Sequence, residues 1–276
     1  GCAYIKGLQG PDPDHLKSAA CAKHFAVHSG PEAIRHEFNA KASKHDMYDT
    51  YLYAFKRCVK DAKVEAVMGA YNRVNGEPAC GSKTLLKDIL RDEFGFEGHV
   101  VSDCWAILDF HEHHHVTESV EESAAMAVNN GCDLNCGSAF LHLQEAYEKG
   151  LVSEEAITEA VERLMEVRIR LGMMKDYPSP YEDITYDKVE CPEHVKLSVE
   201  AARRSLVLLK NENAFLPLDK NKIQTVAVSS RMQEVQNLPE VTWLRWWSAE
   251  RVRRHRLSIS VQKYQETILN IVSYML

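Results

Sequence analysis

An α/β fold built on a parallel sheet is predicted by this sequence, because strand and helix signals alternate along its first 172 residues. Short apolar runs near residues 19–25, 64–71, 99–102 and 131–135 are typical of buried strands. A helical pattern follows each of these runs. Strands joined through helices lie parallel, with right-handed crossovers, so we expect four consecutive βα units.

The helices are predicted from the spacing of their apolar residues and from their caps. Asp46 begins the first amphipathic pattern, and Ser82 caps a second one that ends near Gly95. Further helices are expected at residues 118–130, 141–149 and 153–171. The last of these carries the clearest apolar stripe, which indicates that one face packs on the sheet.

Polar residues stand where the predicted strands end. They are Lys23 and His24, Tyr71, Asp103 and Asn135. Four βα units make half of a (β/α)8 barrel, and barrels keep their functional groups at the carboxyl ends of the strands. The alternative is an open doubly wound sheet. Since no Gly-x-Gly-x-x-Gly follows the first strand, a dinucleotide-binding fold has little support and the barrel is favoured.

Composition excludes some classes of function. The chain has 276 residues, 45% of them hydrophobic, and a formal net charge of −7, which argues against a nucleic-acid binder with a basic surface. No apolar run reaches the 18 or so residues that span a bilayer, so no membrane partner is expected. The eight cysteines show no disulfide spacing, and we expect most of them to be reduced and buried.

Four sequence blocks stand out along the chain. They are Ala-Lys-His-Phe-Ala at 22–26, Val-Met-Gly-Ala-Tyr-Asn at 67–72, Gly-His-Val-Val-Ser-Asp at 98–103 and Glu-Ala-Ala-Arg-Arg-Ser-Leu-Val-Leu-Leu-Lys-Asn-Glu-Asn at 200–213. These blocks resemble glycoside hydrolase family 3, in the branch of bacterial β-xylosidases and β-glucosidases. The resemblance covers residues 4–228 in family order. It implies a retaining exo-glycosidase whose (β/α)8 barrel is followed by an α/β sandwich domain.

The same resemblance implies a role for individual residues. Asp103 corresponds to the nucleophile, because a retaining mechanism needs an ionised carboxylate to attack the anomeric carbon. The positions that match sugar ligands or line the sugar subsite are Lys23, His24, Arg35, Met68 and Tyr71. Cys104 departs from the aromatic residue that many relatives carry there, so stacking on the sugar is expected to pass to Trp105. Nearby cations would keep Asp103 ionised.

The resemblance also predicts how the domains are arranged. Residues 1–172 are expected to form the C-terminal half of the barrel, 173–204 a linker, and 205–228 the start of the sandwich domain. Residues 229–276 depart from the family pattern and are rich in Trp and Arg. We interpret this tail as frameshifted or disordered, the alternative being an interaction tail. The acid/base Glu is expected in the sandwich domain beyond this chain, so the polypeptide alone is expected to be inactive and poorly folded.

Other interpretations of the sequence remain open beside this one. The chain could be a non-catalytic barrel fragment that acts as a binding or interaction module, or its basic tail could bind nucleic acid. The run from His111 to His115 invites a metal, but consecutive residues on one loop rarely converge on one ion, and a solvated loop is expected. No metal and no cofactor are predicted. The expected partner is an oligosaccharide or glycoside. The compartment, bacterial periplasm or cytoplasm, and the oligomeric state are not fixed by the sequence.

Overall fold

The computed structural model describes residues 1–28 and 30–218. The chain divides into two compact units, Gly1–Asp183 and Ile184–Leu276. The strands of the first unit are β1 (Cys21–Phe25), β2 (Asn39–Ala40), β3 (Ala66–Gly69), β4 (Arg73–Val74), β5 (Glu77–Pro78) and β6 (His99–Val101).

The central sheet is parallel, with strand order β1-β3-β6. A further parallel bridge joins Val101 to Leu134, where a fourth strand was predicted. Consecutive predicted strands are therefore neighbours in space, as expected of βα units in series. The α/β class is confirmed. A smaller sheet joins β2 to β4 in parallel and β4 to β5 in antiparallel orientation.

Helices connect the strands, at positions close to the predicted ones. In the first unit they are Cys2–Gln9, Lys44–Asp46 continuing through Met47–Tyr51 to Tyr53–Lys60, Thr84–Glu93, Asp109–Glu112, Val120–Asn129, Leu143–Glu148 and Glu154–Arg170. Single 3-10 turns lie at Glu32–Ile34, Ala79–Gly81 and Ala139–His142. Ser82 caps its helix by accepting a hydrogen bond from the Leu85 amide at 3.0 Å.

The core lies between the central sheet and these helices. Phe25, Val67 and Val100, one from each central strand, are fully buried, as are Leu86 and Leu90 of the helix that connects β3 to β6. Gly98 lets β6 approach β3, since a Cβ on it would lie 1.9 Å from the carbonyl oxygen of Glu65. Helices therefore pack closely against the central sheet, whose strand ends carry the polar residues.

The strand β1 lies at the edge of the central sheet in the part of the chain that the structure describes. Its Cys21 and Lys23 side chains are exposed, whereas Ala66 and Val67 on the neighbouring β3 are buried. A parallel strand usually has both faces and both edges covered. This edge is thus open to pairing with another strand.

In the second unit, the described part contains the helix Pro192–Ser205 and the 3-10 turns Tyr186–Lys188 and Glu212–Ala214. The apolar run predicted to start the sandwich domain contains no strand between residues 205 and 218, and Leu209 is 92% exposed. The rest of the predicted sandwich start, residues 219–228, and the tail 229–276 lie outside the described residues. Within the described part of the chain, no helix is long and apolar enough to cross a membrane.

Candidate active site

Asp103 lies two residues beyond the carboxyl end of β6. Its side chain is 12% exposed, and its Oδ1 accepts a hydrogen bond from the Cys104 amide at 2.8 Å. The preceding Ser102 accepts hydrogen bonds through its Oγ from the Cys136 amide at 3.0 Å and from Asn135 Nδ2 at 3.2 Å. The strand end is thereby fastened to the loop that follows Leu134, so the carboxylate is held in one orientation.

His24, near the end of β1, lies beside this carboxylate. Its Nε2 lies 3.4 Å from Asp103 Oδ2. Burial lowers the pKa of His24 more than the charge of Asp103 raises it, and Lys23 and His28 lower it further. His24 is therefore neutral at pH 7. It is thus not one of the nearby cations that were expected to keep Asp103 ionised.

Tyr71, beyond the end of β3, adds a hydroxyl donor. Burial, the charge of Asp103 and a hydrogen bond to that carboxylate raise the pKa of Tyr71 to about 12, although Arg35 acts against this. The phenol is therefore protonated throughout the physiological range and donates to the carboxylate. The next residue, Asn72, is fully buried and donates through Nδ2 to the carbonyl oxygen of Ala26 at 3.3 Å. This contact ties the chain after β3 to the chain after β1.

Arg35 follows the turn Glu32–Ile34 and reaches the same cluster. Its guanidinium carbon lies 4.9 Å from the centre of the Tyr71 ring, a cation–π contact. It also forms an ion pair with Glu32 and donates from Nε to His36 Nε2 at 3.2 Å. Arg35 therefore lies beside the tyrosine that hydrogen-bonds to the carboxylate.

Three of the predicted site residues flank the cluster without joining its hydrogen bonds among the described residues. Lys23 is exposed on β1, although its charge reaches His24. Met68 is half-buried on β3 in register with Val101. Trp105 is 56% exposed, with a left-handed φ of 69°, and its amide donates to the carbonyl oxygen of Cys136 at 2.6 Å. An exposed ring next to a carboxylate is available for stacking on a sugar.

A disulfide between Cys104 and Cys136 crosses this site, and the sequence reasoning missed it. The other six cysteines are free, so the expectation of mostly reduced cysteines holds. The expectation that they are buried is wrong, because only Cys80 and Cys132 of the free ones are buried and Cys21 is exposed. The two bridged residues are 32 positions apart in the sequence, and they meet because they follow neighbouring strand ends.

His36 and Asp109 are further residues that the sequence reasoning missed. His36 Nδ1 lies 2.8 Å from Asp109 Oδ2, and the His36 ring meets the Tyr71 ring edge-on at 4.6 Å. Asp109 is 3% exposed, and burial raises its pKa against the opposing effect of His36. A signal was present in the sequence, since Asp109 is a single carboxylate within the apolar run 106–110.

The histidine run at 111–115 is only partly the solvated loop that was predicted. His114 is 3% exposed and stacks on Phe110 at 6.2 Å. His111 hydrogen-bonds through Nδ1 to Ser123 at 3.0 Å. In residues 1–28 and 30–218, no group of three His, Cys, Asp or Glu side chains is arranged to hold a metal ion.

A parallel sheet with a carboxylate, a histidine and a tyrosine at its strand ends is typical of α/β enzymes. Comparison with known proteins gives the family. The Glycosyl hydrolase family 3 N terminal domain matches residues 1–167. This chain belongs to glycosyl hydrolase family 3.

Several relatives are xylosidases. The chain is 47% identical over 227 residues to a xylan 1,4-β-xylosidase of Xylanibacter ruminicola, covering 80% of this chain and 26% of that protein. It is 40% identical over 231 residues to β-D-xylosidase 1 of Arabidopsis thaliana, covering 82% of this chain and 30% of that protein.

Solved structures agree with this assignment. A family 3 exo-β-xylosidase in complex with a xylobiose aziridine activity-based probe matches with a TM-score of 0.74 at 35% identity, over 79% of this chain and 29% of that one. A β-glucosidase from Listeria innocua matches with a TM-score of 0.70 at 30% identity, over 80% and 31%. The chain thus spans between a quarter and a third of the length of these relatives.

Proposed function

We propose that this chain provides the nucleophile half of a retaining exo-β-glycosidase that removes terminal β-D-xylosyl or β-D-glucosyl residues from oligosaccharides. The observation that carries the proposal is the Asp103 carboxylate, held at a strand end by the Cys104 amide, His24 and the Tyr71 hydroxyl. An ionised and oriented carboxylate is what attack on an anomeric carbon requires. The names of the relatives support both sugars.

The architecture we propose is the C-terminal half of a (β/α)8 barrel over residues 1–172. The strand order β1-β3-β6 and the bridge to Leu134 support it, because consecutive strands are neighbours around a barrel. The open edge of β1 is where a preceding barrel strand would pair. The division after Asp183 falls within the proposed linker 173–204 and supports a second domain from residue 205.

In the proposed reaction, Asp103 attacks the anomeric carbon and forms a covalent glycosyl ester while the aglycone leaves. A second carboxyl group about 5–5.5 Å away protonates the leaving oxygen and later deprotonates the attacking water. In the described part of the chain, the side-chain contacts of Asp103 are with His24, Tyr71 and the Cys104 amide. None of these is a second carboxyl group. We therefore assign the acid/base to a residue outside this set.

Arg35 and Lys23 are the proposed ligands for sugar hydroxyls, together with His24, whose neutral ring can both donate and accept. Met68, Tyr71 and Trp105 are proposed to line the same subsite. Cationic side chains can hydrogen-bond to sugar hydroxyls, and the apolar and aromatic surfaces suit the faces of a sugar ring. Oligosaccharides and small glycosides are the proposed partners.

The test uses a substrate that does not need an acid. A 2,4-dinitrophenyl 2-deoxy-2-fluoro-β-xyloside, and its glucoside counterpart, carry a leaving group that departs without protonation, while the fluorine slows hydrolysis of the ester. Mass spectrometry of the intact chain, followed by peptide mapping, is expected to find one glycosyl group on Asp103. The rates with the two sugars rank xylose against glucose.

Two variants serve as controls for this test. Asp103→Asn is expected to remain unlabelled, whereas Asp88→Asn, which removes an exposed carboxylate paired with Lys83, is expected to label at the wild-type rate. Circular dichroism checks that each variant is folded. A folded wild-type chain that acquires no label, or a label that persists in Asp103→Asn, would refute the proposal.

A further inference from the structure

His36 stands between two charged groups that do not touch each other. On one side its Nδ1 lies 2.8 Å from Asp109 Oδ2, and on the other its Nε2 accepts a hydrogen bond from Arg35 Nε at 3.2 Å. His36 is 37% exposed at its side chain, while Asp109 is 4% exposed, so the anchor of this chain of contacts is the buried carboxylate.

The two hydrogen bonds fix the protonation of the ring. An arginine Nε always carries a hydrogen, so His36 Nε2 must be the acceptor and is unprotonated. The proton then lies on Nδ1, where it is donated to Asp109. These two contacts therefore place the ring hydrogen of His36 on Nδ1, and a hydrogen on Nε2 would remove the acceptor that holds Arg35.

The same ring and Arg35 enclose Tyr71 from two directions. The His36 ring meets Tyr71 edge-on at 4.6 Å, and the Arg35 guanidinium lies over its face at 4.9 Å. Tyr71 in turn hydrogen-bonds to Asp103. His36 therefore contacts the buried Asp109 on one side, and Arg35 and Tyr71 on the other. Tyr71 is the tyrosine beside the proposed nucleophile.

We infer that His36, anchored by Asp109, is a positioning residue that sets Arg35 for the sugar and Tyr71 for Asp103. This inference rests on the proposed function, because it concerns how that same site is held. The other titratable groups near His36 are Glu32, which pairs with Arg35, His113, whose ring centre lies 5.8 Å away, and the buried His114, whose pKa the charge of His36 lowers. Glu32 alone does not orient Tyr71, since it contacts only the guanidinium among the cluster residues.

The test measures how fast the wild-type chain and its variants are labelled by the fluoroxyloside, with KI and kinact determined separately. His36→Ala is expected to lower kinact/KI about 10- to 100-fold, as expected for losing a hydrogen bond to a charged group. His36→Gln places an acceptor where Nε2 was and is expected to return KI towards wild type. His36→Asn keeps only the donor to Asp109 and is expected to leave KI raised.

His113→Ala is the matched control, because His113 contacts the same Asp109, at 3.7 Å, and neither Arg35 nor Tyr71. It is expected to keep kinact/KI within about threefold of wild type, well under the loss of a charged hydrogen bond. Equal losses in His36→Ala and His113→Ala, or equal KI values for the Gln and Asn variants, would overturn the inference. Thermal unfolding identifies any variant that fails for lack of folding.

A second measurement does not depend on activity. A long-range ¹H–¹⁵N correlation spectrum of the uniformly labelled full chain, with His36 assigned by its loss in His36→Gln, reports which ring nitrogen carries the proton. A neutral Nδ1–H ring at pH 7 is expected. A proton on Nε2, alone or with one on Nδ1, overturns the inference even where labelling succeeds. If the wild-type chain is not labelled at Asp103, the proposed function fails, and the tautomer still decides whether His36 holds Arg35.

Discussion

Breaking the Cys104–Cys136 disulfide is expected to destabilise the protein and to loosen Asp103, the proposed nucleophile. The bridge closes a segment of 32 residues, which contains the helix Val120–Asn129 and the loop that leads to Leu134. For a loop of this length, the chain-entropy relation gives about 4 kcal/mol at 25 °C. We therefore expect Cys136→Ser to lower the free energy of unfolding by about that amount.

The bridge also acts on the site, since one of its cysteines follows Asp103 directly. The Cys104 amide donates to Asp103 Oδ1, and the next amide, of Trp105, donates to the carbonyl oxygen of Cys136. Without the covalent link, only hydrogen bonds join the two strand ends. The rate of labelling of Asp103 by the fluoroxyloside is therefore expected to fall together with stability.

Urea unfolding followed by circular dichroism measures the change. Cys191→Ser is the control, because Cys191 is free and half-buried, and it is expected to stay within about 0.5 kcal/mol of wild type. Dithiothreitol is expected to reduce the stability of the wild-type chain to that of Cys136→Ser and to leave the variant unchanged. A loss below about 1 kcal/mol in Cys136→Ser, far from the loop-entropy value, would show that the reasoning is wrong.

Two further predictions concern buried charge. The Asp133 side chain is 1% exposed and pairs with Arg91 at 2.8 Å and with Arg163 at 2.9 Å. Asp133→Asn is therefore expected to lower the free energy of unfolding in urea by about 3 kcal/mol. A loss under about 1 kcal/mol would contradict this prediction. Burial lowers the pKa of His114 to about 4, below the unfolded value of 6.5, so the unfolded chain binds the proton first as pH falls. Above pH 6.5, the neutral His114 contributes about 3 kcal/mol to the free energy of unfolding. This contribution is lost as the pH falls from 6.5 to about 4. His114→Phe is expected to flatten that part of the stability–pH curve, and an unchanged slope would refute the assignment.

The central sheet could be predicted because its signals are local. Each strand is a short apolar run, and the helices between them require parallel neighbours, so the order of β1, β3 and β6 follows from the chain order. The carboxyl ends of such strands meet at one edge, which is why the structure brings His24, Tyr71 and Asp103 together. Strand boundaries differ from the predicted ones by one or two residues.

The rest of the site depends on contacts between residues distant in sequence. His36 and Asp109 are 73 positions apart, and no local pattern links them. The disulfide joins cysteines whose spacing resembles no framework. Burial of His114 depends on how the chain turns after the helix Asp109–Glu112, which the run of histidines itself does not indicate. Residues 205–228 were expected to start the sandwich domain, yet their described part, up to residue 218, contains no strand, since an apolar run does not form one without a neighbour to pair with.

The contacts around Asp103 divide between groups that orient it and groups that carry charge. Its donors are a backbone amide and a phenol that stays protonated to about pH 12, and a histidine that burial keeps neutral lies 3.4 Å away. Neutral donors fix the direction of a carboxylate while leaving its negative charge available for attack, whereas a direct ion pair with an arginine would hold that charge in place. Arg35 is instead engaged by Glu32, His36 and the Tyr71 face. Its charge therefore stays at the rim of the cluster, where a sugar hydroxyl would meet it, and removing it is expected to weaken sugar binding more than it slows the attack.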